Sequence, residues 1–324
     1  MSKENKPKLS ITQQIELLKQ KGVCFEIYKE QDAYKFLQNN SYFFRLKEYL
    51  HIFKAPISKN YENIDFAHLV DLSTIDMHIR RFIIRLSLDI EHTLKTKIMR
   101  DFSSSNDDGY EIVNEFLQNN TYTREFLEKN ISKIKKLCDN NKDLYLPSQY
   151  ILHKYKWDLA IWNFVEIVQF GSFLEFANCF YQRYKNLEFN SIKNSLFNIK
   201  CLRNAAAHNN CLLSNLNDNI KNPQKQVVDE IFRRKIFKNK GSNYIKNNMK
   251  NRVVNDFVVA IFVYNAVCKS TKMKANCFND LWELFTTRIL QNARFYHKNK
   301  LVVRRYIFCL KLIKYMKHNS DIVS

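Results

Sequence analysis

Three side chains in one short stretch have the types and the spacing needed to break a phosphodiester bond. Arg203, Asn204 and His208 lie in the segment Cys201–Asn210, where three alanines separate the asparagine from the histidine. Arginine is a permanent cation whose planar guanidinium suits phosphate, and histidine can give or take a proton near neutral pH. The asparagine amide can hold one imidazole nitrogen, and the alanines are too small to shield the site. This combination predicts phosphodiester cleavage without a metal ion.

The spacing between arginine and histidine is a weak signal by itself. A histidine follows an arginine after four to six intervening residues at three places, which are Arg45–His51, Arg85–His92 and Arg203–His208. About one such pair is expected by chance in a chain of this composition. Only the third pair has an asparagine directly after the arginine and a run of small residues between. An incidental surface arrangement therefore remains the alternative to a site.

A helix has to position these three side chains. Asn204 and His208 are four positions apart and share one face of a helix. Arg203 lies about 140° from His208 around the axis at ~100° per residue, so both can meet one ligand only where the helix ends or bends. The sequence predicts a helix from about 190 to 207 that ends at this segment.

The composition predicts an all-α fold. The chain has 324 residues, of which 45% are hydrophobic, and this is ample for a packed core. Only four Gly and four Pro are present, too few for the turns of a β-rich fold. The strongest helix signal runs from Phe66 to Ile98, with apolar residues every three or four positions. A polar break at 214–224 leads us to predict domains at residues 1–218 and 219–324.

Charged pairs four residues apart occur along the predicted long helix. They are Asp76–Arg80, Arg85–Asp89 and Glu91–Lys95. Pairs of this kind usually stabilise a solvated helix face. Glu91 can alternatively support a neighbouring active site by holding its catalytic groups in place.

The cysteines and the apolar runs argue against a metal site and a membrane span. The eight cysteines include no Cys-x-x-Cys pair, and no signal peptide is recognisable, so we expect a cytoplasmic protein with reduced, mostly buried thiols. Cys201, His208 and Cys211 match no zinc pattern and lack a fourth ligand, so we expect no metal cofactor. The most apolar run, Phe257–Val267, is shorter than the ~20 residues that cross a bilayer. It predicts a buried helix. We expect no membrane partner, and surface attachment through the basic helices is a weaker alternative because their aromatic and basic residues are not sorted onto one lipid face.

Positive charge is concentrated in the last hundred residues. Residues 225–324 contain 21 Lys and Arg against 6 Asp and Glu, which gives +15 of the total net charge of +20. A basic segment of this kind predicts binding to RNA or another polyanion, although solvated lysine-rich helix faces have the same composition. The side chains expected to contact phosphates are Arg233, Arg234, Lys235, Arg304, Arg305, Lys311 and Lys314.

The order of several short motifs resembles the AbiD/AbiF-like abortive-infection proteins of bacteria, over roughly residues 10–215. The motifs are Leu17…Gly22-Val23, Tyr42-Phe43-Phe44-Arg45-Leu46-Lys47-x-Tyr49, Phe66…Asp76…Arg80…Ile90-Glu91, Trp157 and Arg203-Asn204-x-x-x-His208. The family's usual glycine after the lysine of the second motif is Glu48 here. This departure weakens the match of the N-terminal part and leaves the last motif unchanged.

The resemblance implies a HEPN-like helical bundle, the fold of ribonucleases with an Arg-x(4–6)-His motif, to which the basic C-terminal helices are an extension. The catalytic positions would be Arg203, Asn204 and His208, with Arg45 and Glu91 in supporting places. The resemblance also implies phage defence, toxicity to the host cell and, for some members, control by a small structured non-coding RNA. One proton carrier per chain leads us to expect a homodimer. The alternative is a non-catalytic protein that binds structured RNA and has a degenerate site.

Overall fold

A computed structural model describes residues 8–53, 64–140, 142–216 and 219–321 of the chain. Most of these residues are helical, and the described strands, β1 (Val23–Cys24) and β2 (Ile64–Asp65), pair in parallel over two residues each. The fold is therefore all-α, which confirms the prediction from composition.

The chain divides into two compact units. The first contains residues 1–87 together with 201–324, and the second contains residues 88–200. The predicted domain boundary falls at residue 218, which lies outside the described residues, and it stays a prediction.

Short helices and the beginning of a long one build the N-terminal part of the first unit. Ser10 caps the first of them: its hydroxyl accepts from the Gln13 N–H, and the Gln13 side chain accepts from the Ser10 N–H. The N-cap position of the second helix is Lys29, whose side chain makes no capping hydrogen bond. The helices are α1 (Ile11–Gln20), α2 (Glu30–Asn39), α3 (Phe43–Tyr49) and α4 (Phe66–Ser103), whose beginning belongs to this unit.

The predicted solvated charge pair Asp76–Arg80 on α4 is wrong. Asp76 is 0% exposed and Arg80 is 5% exposed. Asp76 comes four residues after Leu72, and Arg80 comes three residues before Ile83, so both lie on the apolar stripe of the helix. The pair faces the protein interior and needs partners there.

A cluster of phenylalanine rings forms the core of the second unit. The rings of Phe116, Phe164 and Phe176 pack with centroids 4.9 to 5.7 Å apart, as is usual for edge-to-face aromatic contacts. After the end of α4, the helices are α5 (Glu111–Asn119), α6 (Thr121–Asp139), α7 (Pro147–Tyr155), α8 (Ile161–Ile167), α9 (Phe170–Arg183) and α10 (Leu187–Ile192). The next helix, α11 (Leu196–Ala207), leads back into the first unit.

Asp101 joins three elements of the second unit. Its Oδ2 accepts hydrogen bonds from Lys97, Tyr181 and Asn186 at 2.9, 3.0 and 3.3 Å. Burial raises the pKa of Asp101, but hydrogen bonds from Lys97, Tyr181 and Arg100 outweigh this effect and hold the pKa below its usual value. The ionised carboxylate therefore stabilises the folded state.

We expect Asp101→Asn to lower the free energy of unfolding by ~1 kcal/mol at pH 7. The depressed pKa stabilises the folded protein above the unfolded-state pKa of ~3.9, and this contribution is lost as the pH falls through the lower folded-state pKa. Urea denaturation of both proteins from pH 7 to pH 3 measures the difference. A difference that does not shrink below pH ~4 would contradict the assignment.

The C-terminal helices complete the first unit. They are α12 (Lys225–Arg233), α13 (Ser242–Met249), α14 (Arg252–Val267), α15 (Thr271–Glu283) and α16 (Lys300–Asp321). The end of α15 is followed by a π-helical turn at Leu284–Arg288. The apolar run of α14 is buried as predicted. None of the helices in the described ranges is both long and apolar enough to cross a membrane.

Candidate active site

Helix α11 ends where the sequence predicts, and its end presents His208 to solvent. The N–H groups of Asn209 and Asn210 donate to carbonyls of the last helical turn at 3.1 and 2.9 Å, and Asn209 has a left-handed φ of 61°. This is a Schellman motif, in which an asparagine takes the place that glycine usually fills. His208 thereby occupies the C-cap position, and its side chain is exposed.

Arg203 and Asn204 lie one turn before His208 and are half-buried. Arg203 Nη1 donates to the side-chain oxygen of Asn204 at 3.1 Å. The backbone carbonyl of Asn204 accepts from the His208 N–H at 2.9 Å. The Asn204 amide thus orients the guanidinium of Arg203, whereas the sequence suggested that it would hold the imidazole.

A buried charge cluster, which we call the Asp76 cluster, contains Arg45 and Tyr49 of α3 and Asp76 and Arg80 of α4. The Asp76 carboxylate accepts from Arg80 Nη1 and, at 2.7 Å, from the Tyr49 hydroxyl. Arg45 Nη2 lies 4.0 Å from the same carboxylate oxygen. None of the four side chains is more than 7% exposed. Two cations flank one carboxylate among buried side chains.

The Asp76 cluster holds the backbone directly after His208. Arg45 Nη1 donates to the carbonyl of Asn209 at 2.8 Å, and Arg80 Nη1 donates to the carbonyl of Asn210 at 3.2 Å. The other oxygen of Asp76 accepts from the Leu213 N–H at 3.1 Å. These bonds give partners to backbone groups of the segment that follows α11. They also fix the position of the chain on the C-terminal side of His208.

The Asp76 cluster also places positive charge beside the helix end. Burial raises the pKa of the Asp76 carboxyl, and the neighbouring groups, Arg80 first, act in the opposite direction. Burial and the Asp76 charge raise the pKa of the Tyr49 hydroxyl, which therefore remains a hydrogen-bond donor. With Asp76 ionised, the two guanidinium groups leave the cluster with net positive charge, which favours an anion nearby.

Tyr49, Asp76 and Arg80 belong to the motifs that carry the family resemblance, but sequence reasoning gave them no role in the site. The sequence did indicate that the two charged residues are buried, because both occur at the spacing of the apolar residues of α4. Arg45 was predicted as a supporting residue, and the structure places it in the Asp76 cluster. Glu91, the other predicted supporting residue, lies in the second unit, where its carboxylate pairs with Lys95 at 3.1 Å.

The basic residues predicted to bind RNA differ in how far neighbouring carboxylates neutralise their charges. Arg233 and Arg234 both pair with Glu230, at 2.8 and 2.6 Å, so one carboxylate partly neutralises the two cations. Lys235 is exposed. We therefore expect Lys235 to be the stronger phosphate contact in this segment.

Helix α16 presents an exposed basic face, but Arg305 is not part of it. Arg304, Lys311 and Lys314 are exposed, and their spacing of seven and three residues puts them on one side of the helix. Arg305 is 3% exposed, and its Nη1 donates to the carbonyl of Asn248 at 3.2 Å. The prediction that Arg305 contacts phosphates at the surface is wrong, because the side chain points into the protein.

The cysteines are less buried than predicted. All eight lie in the described ranges as thiols outside any disulfide, but only Cys268, Cys277 and Cys309 are buried. Cys211 lies next to the Asp76 cluster, and burial raises the pKa of its thiol. Among the residues that the structure describes, no group of three or more His, Cys, Asp or Glu side chains is placed to hold a metal ion.

Asn209 offers a test of the helix end. We expect Asn209→Ala to lower the free energy of unfolding by ~1 kcal/mol, because alanine resists the left-handed conformation. Asn209→Gly should retain or slightly increase stability, since glycine adopts this conformation without strain. Thermal and urea denaturation of the two variants measure the difference. Equal stability of the alanine and glycine variants would contradict the left-handed assignment.

The fold and the site define an all-α protein in which a buried ion cluster holds a helix end bearing Arg-Asn-x-x-x-His. The profile of the family described as Abi-like protein matches residues 35–214, more than half of the chain. The chain therefore belongs to this family of abortive-infection proteins, and membership supports a role in abortive infection. The matched segment contains the whole Asp76 cluster and the end of α11. No match was found among curated proteins or among solved structures.

Proposed function

We propose that this protein is a metal-independent HEPN-type endoribonuclease that acts in the bacterial cytoplasm during abortive infection. The observation that carries the proposal is the end of α11. There His208 is exposed at the C-cap, Arg203 lies one turn back, and the Asp76 cluster holds the backbone that follows. Family membership supports the role in abortive infection.

In the proposed reaction a ribose 2′-hydroxyl attacks the adjacent phosphorus. His208 takes the proton from the 2′-hydroxyl as the new O2′–P bond forms, and the P–O5′ bond breaks. A proton is delivered to the departing O5′. Arg203, oriented by Asn204, stabilises the charge that develops on the phosphate oxygens. The products carry a 2′,3′-cyclic phosphate and a 5′-hydroxyl.

The reaction needs both an acid and a base, whereas each chain has one Arg-Asn-x-x-x-His segment. We propose a homodimer in which a two-fold axis brings the two α11 ends into one cleft. One His208 would then act as the base and the other as the acid. Light scattering should show a dimer at the concentrations that give activity. A strict monomer that is fully active would contradict this part of the proposal.

Incubation with RNA tests the proposed activity. Purified protein should cut a labelled single-stranded RNA in the presence of EDTA and leave the DNA of the same sequence intact, because DNA lacks the attacking 2′-hydroxyl. Loss of cleavage in EDTA would indicate a metal-dependent nuclease. Cleavage of the DNA would show that the 2′-hydroxyl is not the attacking group.

The exposed basic face of α16 favours a second candidate function, the binding of a structured RNA without cleavage. Arg304, Lys311 and Lys314 would then contact phosphates, and a bound non-coding RNA would control the protein. Affinity should fall steeply between 50 and 200 mM salt, as expected for several phosphate contacts. Intact RNA after prolonged incubation, together with this salt dependence, would favour the second function over the first.

A further inference from the structure

A surface pocket of about 490 Å³ lies at the loop between α12 and α13, within the first unit. Its volume is in the range of pockets that bind small molecules. Buried side chains of Ile231, Phe237 and Ile245 form part of its apolar wall. Phe232 also lines the pocket, but its side chain is 51% exposed. The pocket therefore combines a packed apolar wall with one aromatic ring that a ligand can reach.

All the charged residues that line this pocket are cations. They are Arg233 and three lysines, which we call the loop lysines, Lys235, Lys238 and Lys240. Arg233 is partly neutralised, because it pairs with Glu230 at 2.8 Å. The loop lysines are exposed, and none of them pairs with a carboxylate in the part of the chain that the structure describes. Their charges favour a ligand that carries several negative charges.

Packing fixes the loop that carries these lysines. Lys235 and Asn239 have left-handed φ angles of 51° and 59°, which are uncommon for residues other than glycine. Between them, the buried ring of Phe237 stacks on Phe308 of α16, with centroids 4.9 Å apart. The Phe237 carbonyl also accepts from the Lys240 N–H at 3.3 Å. A ligand would not have to order this loop, so the entropy cost of binding is low.

A nucleotide matches both parts of the lining. A nucleobase has a flat π-face that stacks on an exposed aromatic ring such as Phe232, and lysine ammonium groups bind phosphates. A single phosphate group would neutralise fewer of the lysine charges than a chain of phosphates. A polyanion without a ring would leave Phe232 without a stacking partner. The lining therefore favours a nucleoside that carries several phosphates in a row.

We propose that this pocket binds a nucleoside 5′-polyphosphate, with its base on Phe232 and its phosphates on the loop lysines. Such a group occurs in free nucleoside triphosphates and at the 5′ end of an RNA that has not been processed after transcription. None of the residues that line the pocket belongs to the Asp76 cluster or to the end of α11. The site is therefore separate from the proposed ribonuclease site, and neither proposal depends on the other.

Calorimetric titration of ATP into the full chain, in EDTA and without RNA, tests the proposal. ATP should bind saturably, and AMP should bind at least about tenfold more weakly, because it makes fewer charged contacts. Inorganic tripolyphosphate should bind at least about fivefold more weakly than ATP, because it has no base to stack. If either compound binds as tightly as ATP, the proposal is overturned. Because no RNA is present, the result is independent of ribonuclease activity.

Replacing Phe232 tests the position of the base. Phe232→Ala should weaken ATP binding by about fivefold or more and change tripolyphosphate binding by less than about twofold. Phe197→Ala is the matched control, because Phe197 is 65% exposed and does not line the pocket. It should leave both affinities within about twofold. Equal losses for ATP and tripolyphosphate in Phe232→Ala would refute stacking on this ring.

Lysine variants test the position of the phosphates. Lys238→Met and Lys240→Met should each weaken ATP binding by about tenfold. Lys246→Met removes the same charge from an exposed residue of α13 outside the pocket, so it should change binding by less than about twofold. Equal losses in the three variants would indicate a diffuse electrostatic effect and would overturn the assignment.

A trinucleotide with 2′-O-methyl riboses distinguishes the two sources of the ligand, because it has no 2′-hydroxyl that could attack a phosphate. The form with a 5′-triphosphate should compete with ATP, and tighter binding than ATP would identify an RNA end as the ligand. Weaker binding than ATP would identify the free nucleotide. Equal competition by the same trinucleotide with a 5′-hydroxyl, or no saturable binding of either ATP or the triphosphorylated form, would overturn the proposal.

Discussion

Replacing His208 with alanine is expected to reduce the rate of RNA cleavage by roughly 100-fold or more, since general acid–base catalysis contributes ~10²–10⁴-fold. Arg203→Ala should cause a loss of similar size, because a charge-stabilising donor is worth roughly 10²–10³-fold in rate. Since His208 is exposed, its replacement should change the free energy of unfolding by less than about 0.5 kcal/mol. Single-turnover cleavage of a labelled RNA, with urea denaturation in parallel, separates loss of chemistry from loss of fold.

The chain provides two matched controls for this experiment. His51 and His92 also follow an arginine at similar spacing, and both are exposed. His51→Ala and His92→Ala should retain cleavage within about twofold, because surface substitutions away from a site have small effects. An unchanged rate in His208→Ala, or equal losses in all three histidine variants, would show that His208 is not the catalytic histidine.

Replacing Asp76 with alanine should lower the free energy of unfolding by ~3–5 kcal/mol, the usual cost of removing one partner from a buried ion pair. Arg45 and Arg80 would remain buried without their carboxylate, and the Leu213 N–H would lose its acceptor. Asp280→Ala is the matched control. Asp280 pairs with Arg85 at 2.7 Å, but both side chains are about half exposed, so we expect a loss below ~1 kcal/mol. Urea denaturation of the two variants gives the comparison, and equal losses would contradict the buried cluster.

The Asp76 cluster should also affect the rate of RNA cleavage, because it holds the backbone that follows His208 in position. Arg80→Lys keeps the positive charge but cannot reproduce the planar contacts of arginine to Asp76 and to the Asn210 carbonyl. We expect the folded variant to cut RNA at least about tenfold more slowly, because small displacements of catalytic groups are costly. Full activity in a folded Arg80→Lys protein would mean that the end of α11 does not need this support.

Local sequence signals predicted the functionally important helix end, because the groups that end a helix are close in sequence. The helix predicted to end at residue 207 is α11, which ends at Ala207. Long-range contacts were harder. Asp76 and Arg80 have the spacing of an ordinary surface pair, and although both lie on the apolar stripe of α4, their backbone partners belong to a segment more than a hundred residues away.

Counting charged residues also failed to identify which of them are exposed. The excess of Lys and Arg in residues 225–324 predicts a basic surface, but it does not distinguish Arg304 from its neighbour. Adjacent residues on a helix point about 100° apart, so one arginine of the pair is exposed and the other is buried. Separating the two required knowing which face of α16 packs against the protein.

The most direct test of the proposed ribonuclease activity uses a DNA oligonucleotide that contains a single ribonucleotide. Wild-type protein should cut this strand once, directly after the ribose and in the presence of EDTA, leaving a 2′,3′-cyclic phosphate and a 5′-hydroxyl, and His208→Ala should leave it intact. Cleavage at deoxy positions, or products that carry a 5′-phosphate, would contradict a ribonuclease that works through Arg203 and His208.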